Sequence, residues 1–448
     1  MRTKYPRFAM ERLFLLLYIP LALAMMLIMP VGGPPDELTH LGQEWLLSTG
    51  QIRTETTVFP ASLQEILNTQ VTGTQDAAAL HGKIRGVRLS TETVTGGVNE
   101  LTGIYPLAAY APQSLTMFLT RLVTDRIDLL CYGARIGSMI MTGLLFWSAI
   151  RRSPAGKATL LAIACLPLTL QEAASASCDG ITIAGICWIT AELLRRISGQ
   201  EERKTPALLR SAGMGAGAVL CKLLYFPVLL LGLIARAETA EEKKKKRNNN
   251  LIMAGTFLAA MAVWYILSVR SLSGRHGLTD GALTRLGQVA ADPLILIGAQ
   301  VRTLIHRAPG WTRQLFGVFG RLDVFSPWSL TVLLGLSFLG VALTDDGAGV
   351  LLKDRKQARR FRILMICAFL LCWELLSGAL LVWWTAEGNP LIEGIQGRYF
   401  LPALFGLLLC LPECMKNNPA RRKTIRMAAL GVFIACSAAT VILLGTRL

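Results

Sequence analysis

Apolar runs close to twenty residues long recur along this chain from Leu13 to Leu444, separated by short, strongly basic connections. A helix needs about 20 mostly apolar residues to cross a hydrocarbon core of ~30 Å. The pattern predicts about eleven such helices, over residues 12–30, 129–150, 157–171, 179–196, 208–221, 223–236, 250–270, 326–345, 361–384, 398–414 and 425–444. Two polar-rich intervals, residues 31–128 and 271–325, separate some of them, and the second has helical spacing with breakers at Gly274, Pro293 and Pro309. The apolar stretch Leu107–Leu122 is read as a juxtamembrane or re-entrant helix, because a full crossing there would put Arg151, Arg152 and Lys157 on the outer side. The expected fold is an all-α integral membrane protein. It is one polytopic domain over residues 1–448, with an outer juxtamembrane helix and two larger extracytoplasmic loops.

Composition agrees with that pattern. The 448 residues are 52% hydrophobic and 17% charged, and their mean hydropathy of +0.47 is too high for a water-soluble domain of this size. A formal charge of +17 would suggest nucleic acid as the partner of a soluble protein. Here 29 of the 46 Lys and Arg fall in six segments, residues 1–12, 151–157, 195–210, 236–249, 346–363 and 415–426. The predicted helices place all six on one side, which the positive-inside rule makes cytoplasmic, so no nucleic-acid partner is expected. The basic run 242–250 reads as a solvated turn near anionic headgroups.

The first helix follows Arg2, Lys4, Arg7 and Arg12 and leads into Pro30-Val31-Gly32-Gly33-Pro34-Pro35 without a small-residue cleavage site. It therefore reads as an uncleaved anchor with the N-terminus in the cytoplasm. The ten cysteines lie mostly inside apolar runs and lack paired or metal-type spacing in the loops, which predicts buried thiols with neither a disulfide framework nor a zinc site.

Candidate chemistry concentrates just after the first helix, in Pro34-Pro35-Asp36-Glu37-Leu38-Thr39-His40. Asp36 is placed to cap the following helix, and Glu37 complements its dipole. Glu37, His40 and Glu44 share one helical face, which suits a polar site wall, a metal site or the wetted side of an amphipathic helix.

Further ionisable or polar groups fall at predicted outer helix ends: Arg135, Glu172, Asp179, Lys222, Arg398 and Tyr399. Charges near or inside a bilayer are costly unless paired or wetted, so each is either a structural salt bridge, a snorkelling side chain or a functional group. Arg135, Lys222 and Arg398 together, on the same side as Asp36 and Glu37, suit an anionic headgroup such as a phosphate or diphosphate. Tyr105-Pro106-Leu107 and Pro112 would kink the juxtamembrane segment over such a site or anchor it in the interface. Glu374 reads as a packing or pairing residue, and His81, His276 and His306 as solvated.

An ordered set of short motifs resembles the bacterial membrane-protein family named domain of unknown function 2142. It comprises Pro35-Asp36-Glu37 with His40, Tyr105-Pro106, Arg135, Pro154-Ala155-Gly156-Lys157, Pro167 to Gln171, Ser175 to Asp179, Lys222, and Gln396 to Pro402. Cys178 stands where the family pattern has an aromatic residue. That family is similar to the GT-C superfamily of glycosyltransferases, which implies a GT-C-like helical arrangement and transfer of a sugar from a polyprenyl-phosphate donor to a cell-surface glycan acceptor at the outer face. The resemblance implies Asp36 as general base, with Glu37 assisting it or binding a cation. It implies Arg398 and Tyr399 as holders of the donor phosphate, with Arg135 and Lys222 sharing that task and Asp179 orienting a cation or the sugar. His40 and Tyr105 join the same substrate-binding set. A divalent cation, Mg or Mn, is the one cofactor this chemistry leaves open. The alternatives are a transporter or flippase for a lipid-linked glycan and a non-catalytic partner in polysaccharide assembly.

Overall fold

A computed structural model describes residues 9–51, 57–96, 105–199, 207–220, 222–234, 239–266, 280–347, 351–352, 354–414 and 418–448. The expected features at Gly274 and His276 lie outside these residues. Helices dominate: α1 (Met10–Ile28), α2 (Glu37–Ser48), α3 (Ala61–Leu67), α4 (Thr74–Ile84), α5 (Ala111–Arg121), α6 (Ile127–Arg152), α7 (Lys157–Ala164), α8 (Pro167–Ala173) and α9 (Asp179–Ile197). They continue as α10 (Ala207–Leu220), α11 (Ala240–Trp264), α12 (Asp280–Ala291), α13 (Leu294–Gly317), α14 (Trp328–Thr344), α15 (Arg355–Trp383), α16 (Leu401–Leu408) and α17 (Pro419–Arg447). Among the described residues β1 (Thr57–Pro60) pairs antiparallel with β2 (Thr93–Gly96) across α3 and α4, and β3 (Val318–Phe319) forms a small hairpin with β4 (Val324–Phe325).

Among the described residues four helices, α1, α6, α15 and α17, are long and apolar enough to cross a membrane. Other predicted crossings are shorter or interrupted. The predicted helix 157–171 is two pieces, because Pro167 cannot continue α7 and opens α8 instead. The predicted helix 223–236 is a 3-10 helix, Leu223–Ile234, with Pro227 inside it. In the second outer interval Pro293 separates α12 from α13, whereas Pro309 is accommodated within α13.

The helices share two ends. At one end, Arg152 of α6 pairs with Glu192 of α9 at 2.6 Å, and Arg196 donates to the carbonyl of Lys246 at the start of α11. There too Asp345, just after α14, accepts from Thr159 of α7 and pairs with Arg426 of α17 at 3.1 Å. Helices α15 and α17 begin at this end with basic residues in their first turns, against the preference of the helix dipole, whereas α11 opens on Glu241 and Glu242, which suit it. All three have side-chain caps: Thr239 accepts from the amide of Glu242, Asp354 from Lys356 and Asn418 from Ala420.

The opposite end carries residues 30–36, the start of α9, Lys222 and the 3-10 turn Gly397–Phe400, and it is where the candidate residues meet. Its outer layer is built on α2, α3 and α4, with Phe59, Leu63, Ala77, Ile84, Ile127 and Leu130 in the core.

The apolar stretch 107–122 becomes a 3-10 turn and α5, whose 11 residues span only ~16 Å. One face of α5 is pressed against α6 where Gly133 and Gly137 leave no room for a side chain beside Thr116 and Thr120. Its end lies by α2, where the Arg121 guanidinium covers the Trp45 ring at 4.7 Å.

Candidate functional site

Residues 30–36 turn the chain sharply between α1 and α2. The turn ends on Asp36, whose φ of +64° lies in the left-handed region that non-glycine residues rarely enter. Asp36 occupies the N-cap position of α2, but its side chain makes no cap hydrogen bond. That expectation is corrected for a physical reason: the carboxylate instead accepts from Nη2 of Arg398 at 2.8 Å, across 362 residues of sequence.

Arg398 is held by local packing. Gly397 donates its amide to Oε1 of Gln314 at 2.7 Å and lies so close to the Trp311 carbonyl that only glycine fits. The guanidinium is nearly buried and faces three carboxylates. Nη2 meets Asp36 at 2.8 Å, Nε meets Asp179 at 3.0 Å, and Nη1 meets Glu172 at 3.5 Å. Lys222, with a φ of +53°, pairs with the other oxygen of Asp179. Its ammonium lies over the Tyr105 ring at 4.4 Å and the Tyr399 ring at 5.6 Å. Asp36 and Lys222 are two of the three non-glycine residues with positive φ among the described residues, and such strain concentrates at functional sites.

His40 joins the cluster from its rim. Its ring stacks on Tyr105 at 5.9 Å, and Nδ1 lies 2.7 Å from the Tyr110 hydroxyl. Burial lowers its pKa to about 4, against the opposing pull of Asp179, so the imidazole is neutral at physiological pH. The structure therefore brings together Asp36, His40, Tyr105, Asp179, Lys222, Arg398 and Tyr399, and adds Glu172 and Tyr110.

Two of the expected site residues are placed apart from this group. Arg135 and Glu37 form a fully buried bidentate pair, with Nε and Nη2 each 2.7 Å from a carboxylate oxygen. The remaining guanidinium N–H groups reach the carbonyls of Met26, Met29 and Pro30, so all five donors are used and none is left for a phosphate. Glu37 also accepts from the amides of Gly32 and Ala176. This pair fastens α1, α2, α6 and the segment before α9 around the site.

The shared face of Glu37, His40 and Glu44 is buried, which excludes the wetted-helix reading. Burial, reinforced by the nearby Glu37, holds the Glu44 carboxyl well above its usual range. No three His, Cys, Asp or Glu side chains among the described residues are placed to hold a metal ion. The carboxylates of Asp36, Asp179 and Glu172 surround the Arg398 guanidinium, which occupies the position a divalent cation would need, so this donor set does not fit one.

Outside the site, Glu374 accepts from Gln300 at 2.7 Å, and His306 is exposed. His81, expected to be solvated, is partly exposed, with Nδ1 accepting the Val31 amide at 3.2 Å and the ring meeting Tyr132 edge-on.

Sequence reasoning missed the β3–β4 hairpin, whose signal is the repeated Val-Phe pair around Gly320-Arg321-Leu322-Asp323. It docks beside the site. Gly320 donates to Gln171 at 2.8 Å, Asp323 accepts from both the amide and the hydroxyl of Thr74, and Arg321 donates to the Gly32 carbonyl at 3.1 Å.

No curated protein and no solved structure matches the chain. A family model does match, over residues 20–407, and carries the description predicted membrane protein (DUF2142). That span contains the whole cluster from Asp36 to Arg398. With more than half its length matched, and apolar helices that fit a bilayer, the chain belongs to this family of membrane proteins.

Proposed function

We propose that the protein is a membrane transferase of the glycosyltransferase type, acting at the face opposite its basic helix ends on a lipid-phosphate-linked sugar. The observation that carries the reading is the Asp36–Arg398 pair, in which a half-exposed carboxylate rests on a buried cation beside a second cation, Lys222. A displacement at a sugar phosphate needs a base on the acceptor side and positive charge on the leaving side, and this cluster holds both within one contact.

In the step itself, Asp36 takes the proton of the acceptor hydroxyl as its oxygen bonds to the anomeric carbon. The bond from that carbon to the phosphate oxygen breaks, and its electron pair leaves on the phosphate. Inversion at the anomeric carbon follows from a single displacement. Arg398, Lys222 and the Tyr399 ring line the leaving-group side, and His40 and Tyr105 form the wall toward α2. The positive-inside rule puts the basic helix ends in the cytoplasm and the site outside. The acceptor class is a cell-surface glycan.

A second reading, transport of a lipid-linked glycan, is favoured by one observation. The site lies where helices are interrupted: before α9, at Lys222 ahead of the 3-10 helix Leu223–Ile234, and at the turn before α16. Purified protein in lipid vesicles separates the two. A product joined covalently to the acceptor supports transfer, whereas movement of unmodified lipid-linked glycan between leaflets supports transport.

A further inference from the structure

We infer that Asp36 and the phosphate of the incoming donor compete for the same nitrogen of Arg398, so that donor binding itself releases the catalytic carboxylate. The inference rests on the transferase reading and adds to it an order of events. Its starting point is the unequal exposure of the three carboxylates around the guanidinium. The Asp36 side chain is 47% exposed, whereas those of Asp179 and Glu172 are 6% and 0% exposed. Of the three carboxylates Asp36 alone lies at the surface, and it meets the guanidinium through Nη2.

The geometry of the other two pairs supports the same division of tasks. Nε and Nη1 lie within ion-pair distance of Asp179 and Glu172 yet make no aligned hydrogen bond to either. Coulomb attraction to these two buried charges keeps the guanidinium in place whichever anion occupies Nη2. The sole aligned carboxylate bond is the one to Asp36, and it is the exchangeable one.

Charge arithmetic gives a reason for exchange over simple addition. Three carboxylates and two cations surround the site, so the cluster carries one net negative charge when Glu172, whose ionisation burial opposes, is charged and none when it is protonated. An anionic phosphate entering beside Asp36 meets repulsion, whereas one replacing Asp36 at Nη2 meets a cation whose outer side is uncovered. The displaced carboxylate then has lone pairs free to accept the proton of the acceptor hydroxyl. Before that exchange one of its oxygens, Oδ2, is committed to Arg398.

The left-handed conformation of Asp36 is part of this device, since it aims the side chain back at Arg398 instead of at the N-terminus of α2. Asn tolerates that conformation as Asp does, so Asp36→Asn removes the competing charge with the backbone intact.

The test is equilibrium binding of a polyprenyl phosphate without a sugar, used as the probe, to the purified protein in lipid nanodiscs. Competition predicts that Asp36→Asn binds the probe about tenfold tighter than wild type although it cannot catalyse transfer, and that Arg398→Ala loses binding. Equal or weaker binding by Asp36→Asn, with wild-type binding intact, overturns the competition and leaves the transferase reading standing. Absence of binding to wild type and to Asp36→Asn, with the melting temperatures of both intact, overturns the transferase reading as well. Arg398→Lys supplies a second check: a single ammonium cannot serve Asp36, Asp179 and Glu172 at once, so the tightening produced by Asp36→Asn is predicted to shrink when it is combined with Arg398→Lys.

Discussion

Arg135 of α6 and Glu37 of α2, 98 residues apart in sequence, meet through two contacts of 2.7 Å with both side chains fully buried. The pair has little to gain from ligand contact and much to lose from disruption. Removing one partner of a buried ion pair leaves an uncompensated charge, at a cost of about 3 to 5 kcal/mol. Arg135→Ala and Glu37→Ala are each predicted to lower unfolding stability by that amount, and the double variant by less than the sum. Denaturant unfolding in mixed micelles reads this directly. If Arg135 instead held donor phosphate, Arg135→Ala would weaken lipid-phosphate binding and leave stability unchanged.

Acidification tests the burial of His40. Its pKa falls from 6.5 to about 4 on folding, with burial the main cause, so between those values the unfolded chain binds a proton that the folded chain refuses. Stability from this group is therefore complete above pH 6.5 and declines as the pH drops toward 4. Melting temperatures measured from about pH 7 to about pH 4.5 are predicted to fall less steeply in His40→Gln than in wild type. Parallel curves would mean that His40 titrates freely in the fold.

The seam between α5 and α6 depends on two glycines. A Cβ at Gly137 would overlap the Pro112 carbonyl and Thr116, and one at Gly133 would overlap Thr120. Overpacking of this kind costs about 1 to 3 kcal/mol. Gly137→Ala is predicted to lift α5 from α6, and limited proteolysis near Arg121 is predicted to run faster in this variant than in wild type. Unchanged cleavage would show that α5 adjusts without separating.

The β3–β4 hairpin is tied to the site by Asp323, through the amide and hydroxyl of Thr74. Hydrogen bonds to a charged group contribute about 1.5 to 3 kcal/mol. In Asp323→Ala the amides of Gly320 and Arg321, which donate to Gln171 and Thr74, are predicted to exchange with solvent about ten- to a hundredfold faster. Exchange at the wild-type rate would place the anchor elsewhere in the hairpin.

Much of this arrangement was legible from residue type alone. Apolar runs marked the four helices that are long and apolar enough to cross a membrane among the described residues, because a bilayer imposes length and composition at once. Asp36, Asp179, Lys222 and Arg398 stood out because charges beside such runs need partners. Which charge pairs with which was not legible, since Asp36 meets Arg398 and Arg135 meets Glu37 only through the packing of elements far apart in sequence. Adjacent acids thus took opposite tasks: Glu37 is buried under carbonyls and a guanidinium, and its neighbour Asp36 is turned outward by a left-handed backbone. The short helices α7 and α8 read as one crossing because Pro167 falls inside an otherwise continuous apolar run. Glu172 was visible as a charge at the outer end of that run, but its approach to Arg398 depends on the break.

Transfer of radiolabelled sugar by the purified protein in lipid, from a panel of polyprenyl-phosphate sugars to a glycan acceptor, tests the central claim most directly. Wild type is predicted to form labelled product and Asp36→Asn to form none while melting as wild type does; Arg398→Ala, which leaves the buried Asp179 and Glu172 without that cation, is predicted to form none and to melt lower. Labelled product formed by Asp36→Asn at the wild-type rate would contradict the account.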